Sequence, residues 1–315
     1  TRASFNYRVV EFEDTPGVPN KKGLRYLDDV IKWCRKHSVY CILDMHAAPG
    51  AQNVDWHCDC IGEPELFEKK VHQDRFVRLW RFIADRYKNE SIVAGYDILN
   101  EPVVDIKKEM VVKDLYERAT GAIRSVDKRH IIFQEGNVWA QRLDFLGKPK
   151  DDNTAFSVHI YPPVEYVFNW DLDLKHPAKV AGLTWNKERL ETVVREYSRI
   201  SSKVGVPIYV GEFGINWRGG YFGELEWTRD LASLFKKYGF HWTYWTYKTI
   251  ANSEFPDGIY RYTKNPEWIN RKGPVTGWEN FYTLWKKERG NIVESWKTRN
   301  FVLNNRLLEV LKRYM

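Results

Sequence analysis

The sequence predicts an α/β protein, a (β/α)8 barrel, and three observations support this fold class. Short apolar segments typical of buried strands alternate with amphipathic segments typical of helices. Such alternation implies crossover connections between strands that run in parallel within one sheet. The length of 315 residues also suits a barrel, which commonly remains one domain at this size. We therefore expect a single barrel domain that spans residues 1–315.

Seven segments have the composition of parallel strands that helices cover on both faces, because each is short and rich in apolar β-branched and aromatic residues. They are residues 4–10, 39–46, 92–100, 130–135, 155–161, 207–213 and 241–247. Seven strands rather than eight predict a barrel that lacks its first strand at the N-terminus of this chain. That strand would lie upstream of Thr1, or an unrecognised segment would replace it. A long final loop and C-terminal helices are expected over residues 248–315.

The segments between these strands have the spacing of helices that pack one face against a sheet. In residues 186–205, apolar side chains recur every three or four positions, and Gly205 follows the last turn. Residues 74–87 and 224–239 show the same periodicity. Each of these segments is therefore predicted to be a helix that covers the sheet.

Charge and hydropathy argue against two classes of partner. The net charge is +7, but acidic residues are interleaved with the basic ones, as in residues 107–119. This pattern predicts solvated helix faces rather than a surface for nucleic acid. No apolar run approaches the length of a membrane span. We expect neither nucleic acid nor a membrane to be a partner.

The four cysteines do not form a recognisable metal site. Cys34 and Cys41 lie in apolar segments and are expected to be buried thiols. The stretch from His57 to Cys60 contains two cysteines, but its spacing is not that of a zinc site. The sequence therefore predicts no metal and no cofactor.

Polar residues gather where the predicted strands end. The carboxyl ends of parallel strands share one rim of a barrel, and barrel active sites are built there. A single glutamate at a strand end is most often a capping residue. Two glutamates on separate strands, accompanied by arginine, histidine, asparagine and tyrosine, indicate a functional site. The residues are Arg8, His46, Asn100, Glu101, Glu135, His159, Tyr161, Glu212 and Trp245.

Glu101 and Glu212 are expected to project into the same mouth from opposite sides. Two carboxyl groups that face each other across a sugar can divide the work of glycoside cleavage. One carboxyl group must carry a proton, which it gives to the departing oxygen. The other carboxyl group must be ionised so that it can attack the anomeric carbon. Arg8 and Tyr161 are expected to keep Glu212 ionised, and Asn100 is suited to holding a sugar 2-hydroxyl.

Several motifs occur together in one order along the chain: "FNYRVV", "LDMHAAPGAQN", "AGYDILNEP", "FSVHIYPP", "YVGEFG" and "WTYWTYK". With them the chain resembles glycoside hydrolase family 5, the cellulase-like family of clan A, from the second barrel strand to the eighth. The resemblance implies a retaining β-glycosidase that acts on a β-linked oligo- or polysaccharide. It implies Glu101 as acid/base and Glu212 as nucleophile, about 5–5.5 Å apart.

The same resemblance implies further active-site positions, and "HAAPGAQN" resembles members that act on β-glucans. The implied positions are Arg8, His46, Asn100, His159, Tyr161 and Trp245. Trp245 would lie beneath the sugar at the scissile bond. A polymeric substrate would imply secretion.

Aromatic residues make up 15% of the chain, including 14 Trp, and many fall in predicted loops where flat faces suit sugars. Trp139, with Glu135 nearby, is predicted either to stack on a sugar or to pack against the protein. Gln52 and Asn53 could bind sugar hydroxyls, but ordinary loop polarity is the favoured interpretation. Several residues of a further set are expected to line subsites: Trp56, Phe168, Trp170, Trp217, Tyr221 and Trp268.

Two other functions remain open from the sequence. A non-catalytic carbohydrate-binding protein could use the same scaffold; the paired glutamates argue against it, and an absent first strand argues for it. A metal-dependent hydrolase could use His46 and His159 as ligands. However, Arg8 lies nearby and the histidines come one per strand, which favours roles in binding sugar hydroxyls.

Overall fold

The computed structural model describes residues 1–249, 256–262 and 278–315. Its main sheet has seven strands that follow one another in chain order. They are β1 (Arg2–Asn6), β2 (Cys41–Ala47), β3 (Val93–Asp97), β4 (Ile131–Glu135), β5 (Thr154–His159), β6 (Ile208–Phe213) and β7 (His241–Tyr244). The four pairings from β1 to β5 are parallel. The prediction of seven strands in one parallel sheet is confirmed.

The first strand begins and ends earlier than predicted. It spans Arg2–Asn6 rather than residues 4–10, and Tyr7–Val9 form a turn of 3-10 helix. The Asn6 side chain accepts a hydrogen bond from the backbone N–H of Arg8 at 3.0 Å. An asparagine that caps its own chain in this way offers the backbone an alternative to the strand ladder, so the strand stops there.

Seven helices of eight or more residues accompany the sheet in the described part of the chain. They are α1 (Lys21–Lys36), α2 (Lys70–Tyr87), α3 (Met110–Arg124), α4 (Lys187–Val204), α5 (Glu224–Tyr238), α6 (Trp278–Ser295) and α7 (Asn305–Lys312). At the start of α1 the Asn20 side chain accepts the backbone N–H of Gly23 at 3.0 Å, as an N-cap does. The predicted helices at 74–87, 186–205 and 224–239 are confirmed.

Packing of α2 on β3 fixes the chain that leads to the polar residues beyond that strand. Trp80 is fully buried, and its ring centroid lies 5.7 Å from that of Tyr96. The Trp80 indole N–H donates to the carbonyl of Ile98 at 2.7 Å. Buried aromatic pairs of this kind contribute both apolar area and a defined geometry. The chain therefore leaves β3 in a fixed direction towards Asn100 and Glu101.

In the described part of the chain, two small antiparallel strand pairs lie outside the main sheet: Ala178–Val180 with Leu183–Trp185, and Tyr260–Tyr262 with Phe301–Leu303. None of the described helices combines the length and apolar character that crossing a bilayer requires.

The chain divides into two compact units. The first contains residues 1–159 and 199–211, and the second contains residues 160–198 and 212–315. The expectation of one domain over residues 1–315 stays a prediction.

Candidate active site

In the first unit, the turn that follows β3 carries Asn100 and Glu101. Asn100 is fully buried, and its side-chain oxygen accepts a hydrogen bond from Arg2 at 2.9 Å. The Asn100 side-chain nitrogen has no hydrogen-bond partner among the described residues. Glu101 has a backbone φ of 46°, in the left-handed region that residues other than glycine seldom adopt. Its side chain is 13% exposed, so the carboxyl group is largely withdrawn from water.

Two histidines lie beside the Glu101 carboxylate, and a third acts on it through its charge. His159 Nδ1 lies 2.7 Å from Glu101 Oε1, and His57 Nε2 lies 3.7 Å from Oε2. Burial alone would raise the pKa of Glu101. The hydrogen bond to His159 and the charges of His159, His57 and His46 outweigh that burial, and they lower the pKa to about 2. Glu101 is therefore a carboxylate in the unliganded protein.

A buried arginine, Arg2, organises the carboxylates beneath this turn. Its side chain is 3% exposed, and its nitrogens lie 2.8 Å from Asp97, 2.8 Å from Glu135 and 3.1 Å from Asp44. Burial would raise the pKa of Asp44, but the charges of Arg2 and His46 lower it to about 2. Burial, reinforced by the charge of Glu135, raises the pKa of Asp97 well above its usual value.

Arg2 was missed in the sequence, and Arg8, which is predicted to keep Glu212 ionised, has other carboxylates as its observed partners. Arg8 lies in the turn after β1, its side chain is 40% exposed, and it pairs with Asp59 at 2.7 Å and with Glu13 at 3.5 Å. The cause is the early end of β1 at Asn6, which directs Arg8 to these surface carboxylates. An arginine that is buried within a strand needs anionic partners. The presence of a cation in the first strand was therefore the sequence signal that could have identified Arg2.

His46 and Glu135 both belong to the network of the first unit. His46 Nδ1 lies 2.9 Å from Asp44 Oδ2, and the His46 ring centroid lies 5.2 Å from that of His57. Glu135 is fully buried, and its Oε2 accepts the backbone N–H of Glu101 at 2.6 Å. Both oxygens of Glu135 are engaged by protein, since Oε1 binds Arg2. Glu135 therefore supports Glu101 rather than facing solvent.

Gln52 and Asn53 are buried, with 0% and 1% exposure, and they bind the backbone. The Gln52 side chain donates to the carbonyl of Asn100 at 2.9 Å, and the Asn53 side chain donates to the carbonyl of Glu101 at 2.8 Å. Cys58 donates from its thiol to the Asn53 carbonyl at 2.9 Å. Burial raises the pKa of Cys58 to about 11, so this thiol stays protonated.

Trp139 is 38% exposed at the surface of the first unit, where strained backbone presents it. Val138, Trp139 and Ala140 all have φ between 54° and 61°. The Trp139 indole N–H donates to the Asp55 carboxylate at 2.6 Å, which fixes the ring. Three consecutive left-handed residues are costly, and such strain is typical of functional positions. Trp56, the residue after Asp55 in the sequence, is 56% exposed.

In the second unit, Glu212 of β6 is 4% exposed and is oriented by Tyr161. The Tyr161 hydroxyl donates to Glu212 Oε2 at 2.8 Å, and the Glu212 carbonyl accepts the backbone N–H of Ile160 at 2.9 Å. Trp245 is anchored by its backbone N–H, which donates to the Phe213 carbonyl at 2.8 Å. The predicted partnership of Tyr161 with Glu212 is thus present in the structure.

The loop aromatics of the second unit have different surroundings. Phe168 lies between Tyr161 and Trp170, with ring centroids 5.1 and 5.6 Å away, and Trp170 is 59% exposed. Tyr221 is 79% exposed, whereas Trp217 is buried at 8%. Trp268 lies outside the described residues. Trp170 and Tyr221 thus present ring surface to solvent, and Trp217 packs as a loop anchor.

Known proteins share this sequence pattern and fold. The family model described as Cellulase (glycosyl hydrolase family 5) matches residues 6–250. A β-xylosidase of Phanerodontia chrysosporium is 32% identical over 263 residues, which cover 79% of this chain and 53% of that protein. Endoglucanase C of Acetivibrio thermocellus is 28% identical over 280 residues, covering 79% of this chain and 80% of that protein. The chain spans about half the length of the first relative and four fifths of the second.

Solved structures resemble the chain over almost its whole length. The endoglucanase Cel5A of Thermotoga maritima has a TM-score of 0.71 at 22% identity, and the match covers 98% of this chain and 84% of that one. The same enzyme in complex with mannotriose gives a TM-score of 0.70 at 21% identity, with the same coverage. At this level of identity the likeness shows the fold, and it confirms the predicted (β/α) barrel class.

Proposed function

The chain belongs to glycosyl hydrolase family 5, and on that premise we propose that it is a retaining β-glycoside hydrolase. It would cleave β-linked glucans or related oligosaccharides by double displacement, with Glu101 as acid/base and Glu212 as nucleophile. One observation carries the proposal: Glu101 follows β3 and Glu212 is the residue before the last of β6, two strands of the same sheet. Parallel strands bring their carboxyl ends to one edge, which is where barrel enzymes build their sites.

In the first step, Glu212 attacks the anomeric carbon while the bond to the departing oxygen breaks. A bond forms between the Glu212 carboxylate and the sugar, and Glu101 gives its proton to the departing oxygen. The hydrogen bond from Tyr161 holds the Glu212 carboxylate in one orientation. Fixed orientation matters because misplacement by about 1 Å can cost a hundredfold in rate.

In the second step, Glu101 must be ionised, because it takes a proton from the water that attacks the glycosyl–enzyme bond. The lowered pKa of Glu101, about 2, suits this step directly. The first step requires the protonated form. A bound sugar would displace water from the exposed 13% of the Glu101 side chain, and this desolvation would favour the protonated form.

Three further residues support a sugar substrate. Asn100 offers a buried side-chain donor suited to a sugar 2-hydroxyl. Trp139 and Trp245 offer aromatic faces of the kind on which sugars stack. Two solved structures of Thermotoga maritima Cel5A are described as complexes with mannotriose and with cellobiose, which supports β-linked oligosaccharides as the substrate class.

The test compares Glu101→Gln and Glu212→Gln with the wild type on β-linked glucans, mannan and aryl β-glycosides. Glu212→Gln should lose turnover to the detection limit, and Glu101→Gln should lose about a hundredfold to ten-thousandfold. Glu117→Gln is the matched control, because Glu117 lies on α3 and pairs with Lys150 at the surface. Azide should restore turnover to Glu212→Ala and give a product of inverted configuration.

Three results would contradict the proposal. Near-wild-type turnover in either glutamine variant would remove that residue from the mechanism. Sugar binding by calorimetry without product formation would favour a non-catalytic carbohydrate-binding barrel. Loss of activity on chelation, with stoichiometric metal by elemental analysis, would favour a metal-dependent hydrolase.

A further inference from the structure

The backbone of Glu101 adopts a conformation that its own sequence disfavours. Its φ of 46° lies in the left-handed region, which side chains other than glycine avoid. Pro102 follows immediately, and a residue before proline is normally pushed to extended conformations. Without external restraint the peptide at Glu101 would relax towards the extended region. Relaxation would rotate the Cα–Cβ bond and move the carboxyl group away from His159.

Three buried side chains supply that restraint by binding backbone polar atoms at this turn. Glu135 accepts the N–H of Glu101 at 2.6 Å, and Asn53 donates to the Glu101 carbonyl at 2.8 Å. Gln52 donates to the carbonyl of Asn100, one residue earlier, at 2.9 Å. All three are at most 1% exposed. Both backbone hydrogen-bonding groups of Glu101 are therefore held by side chains remote in sequence.

The three side chains are themselves fixed by further contacts. The Gln52 amide also donates to the His46 carbonyl at 2.8 Å. The Asn53 side-chain oxygen accepts the backbone N–H of Asp55 at 2.8 Å. Glu135 is bound by Arg2 at 2.8 Å. A restraint is effective only if its own rotamer is locked, and here each member has a second partner.

We propose that Gln52, Asn53 and Glu135 form a backbone clamp, a set of positioning residues that hold Glu101 in its left-handed conformation. The clamp does not touch the sugar; it keeps the carboxyl group of Glu101 beside His159, where it can transfer a proton to the departing oxygen. This inference rests on the proposed function, since it assigns the clamp to the acid/base residue. It gives Gln52 and Asn53 a role that differs from both sugar binding and ordinary loop polarity.

Proton donation to the departing oxygen gives the clamp a signature that a purely structural role lacks. A glycoside with a poor leaving group, such as a phenyl glycoside, needs the proton from the acid. The leaving group of a dinitrophenyl glycoside departs as the stable dinitrophenolate anion, so its cleavage needs almost no proton donation. Loosening the clamp should therefore slow cleavage of the phenyl glycoside and spare the dinitrophenyl glycoside.

The experiment measures kcat/KM of Asn53→Ala on phenyl and dinitrophenyl β-cellobioside. We expect a loss of about tenfold or more on the phenyl substrate and less than about threefold on the dinitrophenyl substrate. Asn153→Ala is the matched control, because the Asn153 side chain also donates to a backbone carbonyl, that of Arg129, at 2.8 Å. The control should leave the ratio of the two rates unchanged.

Asn53→Leu repeats the test if the alanine variant loses its circular dichroism spectrum, since leucine fills a similar volume without donating a hydrogen bond. Equal losses on both substrates, or no loss on either, would overturn the clamp while the wild type remained an active glycosidase. A wild type that cleaves neither substrate, nor any in the glycan panel, would overturn the proposed function and the clamp with it.

Discussion

Replacing Arg2 by methionine should destabilise the folded protein by about 3–5 kcal/mol, the usual cost of removing one partner from a buried ion pair. The Arg2 side chain is 3% exposed and lies within 3.1 Å of carboxylate oxygens on Asp44, Asp97 and Glu135. Methionine keeps the aliphatic part of the side chain but leaves these carboxylates without their cation. The loss of stability in Arg2→Met therefore measures the charge interactions of Arg2 rather than the cost of a cavity.

Asp44 gives an independent measure of the size of the effect. Its pKa falls from 3.8 to about 2 although burial opposes the change, and Arg2 is the largest favourable cause. Each pKa unit corresponds to about 1.4 kcal/mol, so the lowered pKa is worth about 2 kcal/mol near neutral pH. The contact with Glu135 and the hydrogen bond to Asn100 contribute to the remainder of the expected loss.

The sign of the pH dependence follows from the lowered pKa. Between pH 3.8 and about 2, the unfolded chain binds more protons at Asp44 than the folded protein does. Stability from Asp44 is therefore fully present above pH 3.8 and is lost as the pH falls through about 2. Replacing Arg2 removes the largest cause that lowers the pKa of Asp44, so the variant keeps less of this stability above pH 3.8. The free energies of unfolding of wild type and variant should therefore converge as the pH falls through this range.

The assay is urea-induced unfolding of wild type and Arg2→Met at pH 7 and at several acidic pH values. Arg35→Met is the control, because Arg35 pairs with Glu90 at the surface with a side chain 56% exposed. An exposed pair of that kind contributes at most about 1 kcal/mol. A loss in Arg2→Met no larger than in the control, or a difference that does not shrink at acidic pH, would refute the reasoning.

Two further changes test the site and its scaffold. Trp139→Ala should raise KM by about threefold to tenfold with little change in kcat, because it removes one stacking surface; Trp33→Ala, which truncates an exposed tryptophan of α1, should change neither constant. Gly211→Ala should lower the thermal midpoint, because the added Cβ would lie 2.6 Å from Ser157 Oγ and 3.1 Å from His159 Nε2. The cost is about 1–3 kcal/mol, whereas Gly121→Ala on α3, where nothing lies within 4 Å, should stabilise by about 0.5–1 kcal/mol. An unchanged KM in Trp139→Ala, or an unchanged midpoint in Gly211→Ala, would contradict these two assignments.

The sequence predicted the strands that carry the two glutamates because local signals were strong there. The predicted strand at 92–100 is followed by Glu101 and Pro102, and the observed strand is Val93–Asp97. The segment 207–213 is almost identical to the observed Ile208–Phe213. Buried parallel strands are apolar on both faces, so a short apolar run marks them well.

The sequence did not single out Arg2, because a side chain, not the hydrophobic pattern, decided where β1 begins and ends. Asn6 binds the backbone of Arg8, and this single contact turns Arg8 to the surface. The supporting roles of Gln52 and Asn53 were also beyond the sequence. They depend on the left-handed φ of Glu101, which only the folded chain establishes. Glutamate directly before proline was the one local sign of an unusual turn.

The central claim is that Glu212 forms a covalent bond with the sugar during turnover. Incubation with a 2-deoxy-2-fluoro-β-cellobiosyl fluoride, whose fluorine at carbon 2 slows breakdown of the intermediate, should trap that bond. Peptide mass spectrometry is then expected to find one sugar attached to the peptide that contains Glu212, with none attached in Glu212→Gln. An active enzyme that carries the label on a different residue, or that yields product of inverted configuration without labelling, would contradict the account.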